Sequence, residues 1–433
     1  MQKNTRYLLI FLTISFLFLT FLKSFYFSQK NGGTDLRTRI VASRVLSTEY
    51  SPYFYKWKSS DGDFLLDPND APARLVNGNV VTPAVLYLIY PISQLSYSFV
   101  RSLWTVLQLL AVLAVVFLLF KKQLTSRIIP FALIILGLIC TDTFLYHVER
   151  GQMYIFYAFI FALMYYPSNA TGLKYNNFIT GFIGGLFIFF RPFAAIVGLP
   201  FFIAGKQSFI KGWLSGLVVG CLLFVVPNPS LWLDYLKAMQ EYSSELLGKG
   251  HRIIDAVEYS VPAVVEGMDN LDKAQGFNIS GLNALPNYLI KIGLDFTAFG
   301  CMLFYGIIVL VLLYFFFGKK SEAKIDTQQL FLFGFLLYML AELLLLTPRG
   351  TYNVVQWIFP LSLICLHYYN NKILLMILGT AFLLLHNFPF VIPFQSGVAE
   401  LIFLSTLVYI LFFQKKMDSL NYTSSQLMQS NTL

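Results

Sequence analysis

The feature that constrains this chain most is a succession of apolar runs, each separated from the next by a short polar break, over nearly its whole length. A helix needs about 20 mostly apolar residues to cross the hydrocarbon core of a bilayer. Runs of this kind lie at residues 7–27, 101–120, 128–146, 153–166, 213–226, 296–317, 328–346, 353–369, 372–385 and 398–413. Only 12% of the 433 residues are charged, against about 25% in an ordinary soluble domain. A water-exposed surface cannot be assembled from so few ionisable groups, so soluble and disordered classes are excluded. The chain reads as an all-α polytopic membrane protein.

Residues 178–204 are apolar but interrupted by Arg191-Pro192. They read as two short helices with that dipeptide at the turn, because Lys174, Lys206 and Lys211 then lie on one side. About twelve transmembrane helices result, with both termini on one face. Residues 81–95 are also apolar but are broken by Pro83 and Pro91 and read as re-entrant or interfacial. Lys3, Arg6, Lys121, Lys122, Arg127, Lys174, Lys206, Lys211, Lys319, Lys320, Lys324, Lys372, Lys415 and Lys416 then share one side, while the short loops opposite hold Arg150 and Arg349. Short cytoplasmic loops collect Lys and Arg, so the termini are expected inside. The net charge of +9 records this topology, and no nucleic-acid partner is expected. Lys23-Ser-Phe-Tyr offers no small-residue cleavage site, which makes the first span an uncleaved anchor. The organisation expected is one transmembrane domain over residues 1–413 and a cytoplasmic tail at 414–433. Two long extracytoplasmic loops belong to that domain: residues 28–80, with interfacial helices, and residues 227–291. The four cysteines lie in apolar runs and read as small buried hydrophobes.

Ionisable residues within spans are expensive and point to function. Asp142, His147, Glu149, Arg150, Arg191, Glu342, Arg349 and His386 all map to outer helix ends, with His367 the exception at an inner end. A transporter would place polar groups near the midplane, on broken helices in repeated halves, so the one-sided distribution favours an outward-facing site. Asp35 opens the first outer segment in Gly33-Thr34-Asp35-Leu36-Arg37. Two readings stand: Thr34 is an N-cap with Asp35 complementing the helix dipole, or Asp35 is a general base. The stretch through Leu46 has apolar Leu36, Ile40, Val45 and Leu46 beside polar Arg39 and Arg44, which suits a helix on the membrane surface. Arg191 is either a snorkelling hairpin tip or an anion clamp, and Arg349, just before Tyr352 and Asn353, carries the same two readings. Glu149-Arg150-Gly151-Gln152 is a turn with a local ion pair or a piece of the site.

These elements, in this order, resemble glycosyltransferase family 87 of the GT-C superfamily. Asp35-Leu36-Arg37, followed by residues 44–53 with Pro52-Tyr53, resembles the family's first loop. Thr82-Pro83 with Tyr90-Pro91 is similar to its proline-interrupted segment. Gly151-Gln152 opens its Gly-Gln-x-Asn motif, and Arg191-Pro192 stands where Lys-Pro is usual. Asn278-Ile279-Ser280 resembles the end of its large loop, and Thr347-Pro348 through Trp357 and Pro360 its late block. The chain departs from the pattern at Tyr154, where the motif has Asn, and at Asn353 and Val354, where some members carry a histidine pair.

The resemblance implies transfer of mannose or another hexose from a polyprenyl-phosphate donor to an extracytoplasmic glycolipid or glycan acceptor. It gives Asp35 the catalytic role. The expected chemistry is an inverting displacement in which Asp35 takes the acceptor proton while cations stabilise the leaving phosphate. Arg191, Arg349 and Arg150 are the phosphate-binding candidates. Arg37, Gln152, Glu149, His147, Tyr352 and Asn353 are the other site candidates. No cofactor beyond the donor substrate is expected, and no obligatory metal, because no carboxylate cluster stands near Asp35 in the sequence. The expected location is the cell membrane, multi-pass, with the site on the extracytoplasmic face. A lipid or glycolipid transporter or flippase, and a non-catalytic scaffold, are the alternatives.

Overall fold

The computed structural model describes residues 3–31, 33–55, 59–65, 81–120, 127–169, 176–246, 297–318, 325–345, 351–368, 370–386 and 395–413. Among them every regular element is helical and no strand occurs. Five helices are long and apolar enough to cross a membrane: α1 (Lys3–Asn31), α4 (Tyr97–Phe120), α10 (Gln207–Gly220, continued as a π-turn over Cys221–Val225), α12 (Ala298–Gly318) and α13 (Thr327–Leu344). A sixth is the bent pair α5 (Ile128–Ile134, continued as a π-turn over Ile135–Ile139) and α6 (Asp142–Arg150). The others are shorter: α2 (Thr34–Val45), α3 (Pro83–Ser93), α7 (Tyr154–Asn169), α8 (Asn176–Phe187), α9 (Ala195–Ile203), α11 (Pro229–Leu246), α14 (Ile358–His367), α15 (Lys372–Leu384) and α16 (Gln395–Phe412). The structure thus places helices on the apolar runs, but many of them are too short to be counted as full spans by length alone.

Helix α13 is the axis of the core, with Leu330 to Leu344 almost wholly buried among rings that include Phe161, Phe331, Phe335, Trp357 and Phe359. Helix α12 is the opposite case. Its Phe299, Leu310 and Tyr314 are 70%, 68% and 74% exposed. Burying a side chain of this size is worth about 1.5–3 kcal/mol, so such a helix suits lipid and not water.

Apolar burial cannot drive helix pairing in a bilayer, so close contact between small residues does. Gly181 and Gly185 on α8 face Gly212 and Gly216 on α10. A Cβ at any of the four would fall within 2.2 Å of a backbone carbonyl oxygen of the other helix. Trp213 fills the adjoining gap, lying over Gly184 and Gly198. Gly334 of α13 meets the Val197 carbonyl of α9 in the same way, at 2.4 Å from a would-be Cβ. These contacts bring the segment that holds Arg191 against the C-terminal end of α13.

Three expectations are corrected here. The run at 128–146 is not one straight span: it bends by 57° between Ile139 and Asp142, where Thr141 starts a new helix by accepting the Phe144 N–H at 3.2 Å. Arg39 and Arg44 do not lie on a membrane-facing surface. Both are buried, and Arg44 donates to the carbonyls of Ser93 at 2.8 Å and Phe64 at 3.0 Å, tying α2 to the end of α3. Cys221 is exposed on the outside of the bundle and is not a core residue, while Cys301 and Cys365 are buried as expected. The dipeptide Arg191-Pro192 does separate α8 from α9, with a 3-10 turn at Pro192–Ala194.

Candidate functional site

The site begins with two glycines. Gly33, at φ +63°, turns the chain from α1 into α2, and its carbonyl accepts from the Tyr97 hydroxyl at 3.2 Å. Gly151, at φ +71°, closes α6 in a Schellman turn: the Gln152 N–H reaches the His147 carbonyl and the Gly151 N–H the Val148 carbonyl, both at 3.0 Å. A Cβ at Gly151 would stand 2.6 Å from Leu36 Cβ. Only glycine lets the end of α6 approach the start of α2 this closely, and the approach brings three polar side chains together.

Thr34 is not the N-cap, because Gly33 occupies that position and no side chain caps the helix there; Asp35 lies in the first turn. Its carboxylate instead faces Arg150, whose Nε donates to Oδ2 at 2.6 Å and whose Nη2 donates to Oδ1 at 3.0 Å. Gln152 Nε2 also donates to Oδ2. The two charged side chains are 26% and 28% exposed, so the pair is open at one edge. Arg150 therefore ion-pairs with Asp35 across the bundle, not with its neighbour Glu149. Its Nη1 donates to the Tyr146 hydroxyl at 2.7 Å, and its guanidinium lies against the rings of Tyr146 and Tyr352, at 5.3 and 5.7 Å from centroids that are themselves 5.7 Å apart.

Behind Gln152 stands Arg39, which donates to the Gly151 carbonyl at 2.7 Å and to Gln152 Oε1 at 2.8 Å. Helix α4 holds the same turn from the other side. Trp104 Nε1 reaches the Gly151 carbonyl at 3.0 Å and Gln108 Nε2 the Gln152 carbonyl at 2.6 Å.

A second ion pair lies deeper. Arg191 donates to Glu342 Oε1 through both Nε, at 3.1 Å, and Nη2. Glu342 is fully buried and Arg191 is 17% exposed. The hydroxyl of Tyr338 lies 2.7 Å from Glu342 Oε1, and Gln356 Nε2 donates to Glu342 Oε2 at 2.8 Å. The guanidinium sits over the rings of Tyr154 and Tyr157, each centroid at 5.7 Å. Arg191 is thus not a snorkelling tip: the Nε–Nη2 edge of its guanidinium is taken by a buried carboxylate. Tyr154 also packs on Tyr352 at 5.7 Å, so one layer of tyrosines joins the two ion pairs.

The structure therefore brings together Asp35, Arg150, Gln152 and Tyr352, with Arg191 one aromatic layer away. His147 is buried beneath them, its Nε2 accepting the Ile155 N–H at 3.3 Å and its ring stacked on Phe144. Asn353 is buried in the turn after Tyr352, while Arg37 and Glu149 are half-buried near the rim. Arg349 lies outside the described residues. Among the described residues, no group of three His, Cys, Asp or Glu side chains could hold a metal ion. Sequence reasoning missed Arg39, Tyr338 and Gln356 as members. Tyr338 carries a usable signal, since it lies one helical turn before Glu342 and so on the same face. Gln356 carries none.

The model of glycosyltransferase family 87 matches residues 81–348, more than half of the chain. The match takes in Arg150, Gln152, Arg191 and Glu342 and begins after Asp35. Neither the curated proteins nor the solved structures provide a match.

Proposed function

Since the chain belongs to glycosyltransferase family 87 and is a glycosyltransferase with several apolar helices of membrane-spanning length, we propose that it transfers mannose or another hexose from a polyprenyl phosphate to an extracytoplasmic glycolipid or glycan. The reaction inverts the anomeric carbon, and Asp35 is the general base. One observation carries this reading: the carboxylate of Asp35 is held by Arg150 and Gln152 at a partly open edge of the bundle, although 115 residues separate it from its arginine.

The acceptor hydroxyl loses its proton to Asp35 as its oxygen attacks the anomeric carbon, and the bond from that carbon to the phosphate oxygen breaks. The polyprenyl phosphate leaves as an anion and needs positive charge more than a proton. Arg150 engages Asp35 through one edge of its fork and keeps N–H donors on the other for a phosphate oxygen. Arg349, three residues before Tyr352, is the second phosphate candidate. Arg191, committed to Glu342 as a neutral pair, supports the tyrosine layer. The collection of polar side chains at one end of the bundle supports an extracytoplasmic site in a twelve-span topology, and it supports transfer over carriage by a flippase, which must serve both faces.

The test uses membranes containing the full chain and labelled polyprenyl-phosphate mannose or glucose, with incorporation into glycolipid or glycan as readout. Wild-type protein should incorporate label, and Asp35→Asn should lose roughly 10²–10⁴-fold in rate, the usual worth of general-base assistance. Near-normal transfer by correctly inserted Asp35→Asn would remove Asp35 from the mechanism.

A further inference from the structure

Arg39 follows Asp35 by one turn of α2, is 8% exposed, and points away from the open edge toward Gln152. Its two donors reach two neutral acceptors, the Gly151 carbonyl and Gln152 Oε1, at 2.7 and 2.8 Å. The carbonyl already has a donor in Trp104, and the Gln152 main chain is anchored by Gln108. The turn is therefore held in place from α4 without Arg39. What Arg39 adds is a hold on Gln152 Oε1, which with the Asp35 carboxylate at Nε2 sets the orientation of the amide.

The two ends of an amide have nearly the same shape and opposite hydrogen-bonding character. With Oε1 on Arg39, the end that faces Asp35 is Nε2, a donor. Turned over, the amide would set oxygen against carboxylate and N–H against guanidinium, two repulsive contacts in place of two attractive ones. A planar guanidinium suits this task, since its rigid fork spans a main-chain and a side-chain oxygen at once, which an ammonium cannot do.

We propose that Arg39 is a positioning residue for the transfer reaction, acting through Gln152 to decide which oxygen of Asp35 accepts the proton. Asp35 Oδ2 accepts from both Arg150 Nε and Gln152 Nε2, which fills its two lone pairs. Oδ1 accepts from Arg150 Nη2 alone among the described residues, so one lone pair on it stays open. The acceptor proton goes to Oδ1. Without Arg39, Gln152 is free to leave Oδ2, the two oxygens become equivalent, and the base loses its aim. The inference rests on the reading of Asp35 as the base.

A double-mutant cycle tests it, with Arg39→Met, Gln152→Met and the pair, each assayed in membranes with labelled polyprenyl-phosphate mannose. Methionine matches glutamine in length and replaces the unbranched apolar stem of arginine without its donors. Arg39→Met should lower kcat by about 10- to 100-fold, the cost of misplacing a reacting group, with donor KM changed less than about twofold. In the Gln152→Met background the same substitution should cost almost nothing further, because the group it acts through is gone. Arg39→Lys should recover only part of the loss. Equal losses from Arg39→Met with and without Gln152, or full kcat in Arg39→Met, would overturn the proposal. If Arg39→Met fails to insert, the cycle is run with Arg39→Lys, and additive losses there count against it equally. Activity in Asp35→Asn would sink the reading of the base; an inactive Asp35→Asn with an additive cycle would sink this inference alone.

Discussion

Replacing Arg150 with lysine tests whether the site uses a charge or a fork. The guanidinium makes two bonds to the Asp35 carboxylate, at 2.6 and 3.0 Å, and a third to the Tyr146 hydroxyl at 2.7 Å. An ammonium on a shorter, differently shaped stem can keep one of the carboxylate contacts and forfeits the bidentate arrangement and the guanidinium contact with the Tyr146 and Tyr352 rings. A hydrogen bond to a charged group contributes roughly 1.5–3 kcal/mol. Asp35 and Arg150 are about a quarter exposed, so solvent screening brings the figure to the lower end. Losing one carboxylate bond and the tyrosine bond, with the ring contact, comes to about 2–3 kcal/mol, which corresponds to roughly 30- to 150-fold in kcat/KM at about 1.4 kcal/mol per factor of ten. Arg150→Ala, which also removes the positive charge beside the leaving phosphate, should fall at least about tenfold further. The assay is steady-state transfer from labelled polyprenyl-phosphate mannose, with insertion checked by protease protection and size-exclusion profile. A lysine variant as active as wild type would refute the fork argument. Alanine and lysine variants equally impaired would refute the separate contribution of charge.

Glu342→Gln should be a stability variant. It leaves Arg191 buried opposite a neutral amide, and breaking a buried pair costs about 3–5 kcal/mol; the melting temperature in detergent should fall clearly, and adding Arg191→Met should recover part of it. An unchanged melting temperature in Glu342→Gln would mean that the pair is solvated. Gly151→Ala combines left-handed strain of about 1–2 kcal/mol with a contact 2.6 Å from Leu36 Cβ. It should push α2 away from α6 and cost more in transfer rate than in melting temperature, and a variant with wild-type rate would show that the approach of the two helices does not set the site.

Much of the architecture was written locally. An apolar run long enough for a bilayer is read from neighbouring residues alone, because backbone groups in lipid must be satisfied within the helix. The same holds for the break at Arg191-Pro192, where proline removes a helix donor, and for the glycine that ends α6. The placement of Asp35, Arg150, Arg191 and Glu342 near helix ends was visible too, since it follows from the breaks between apolar runs. The bend after Ile139 was less legible, as Thr141 competes as a cap within a run that hydropathy treats as continuous. The four glycines of α8 and α10 stood in plain view at four-residue spacing, but spacing alone names no partner helix.

The pairing of charges was decided only in three dimensions. Asp35 is followed on its own helix by Arg39, four residues on, and at that spacing Arg39 is on paper a better partner than Arg150. The choice depends on Gly151 letting α6 meet α2, and on α4 holding the turn that carries Gln152. Arg191 likewise met Glu342, 151 residues away, because glycine contacts set α9 against α13. Helix formation is a short-range matter of hydrogen bonds and apolar length, whereas an ion pair forms between whichever charges packing delivers within about 4 Å. For that reason the sequence determined a helical membrane protein with ionisable side chains near its helix ends, and tertiary packing alone determined that Arg150 holds Asp35 and Arg191 holds Glu342.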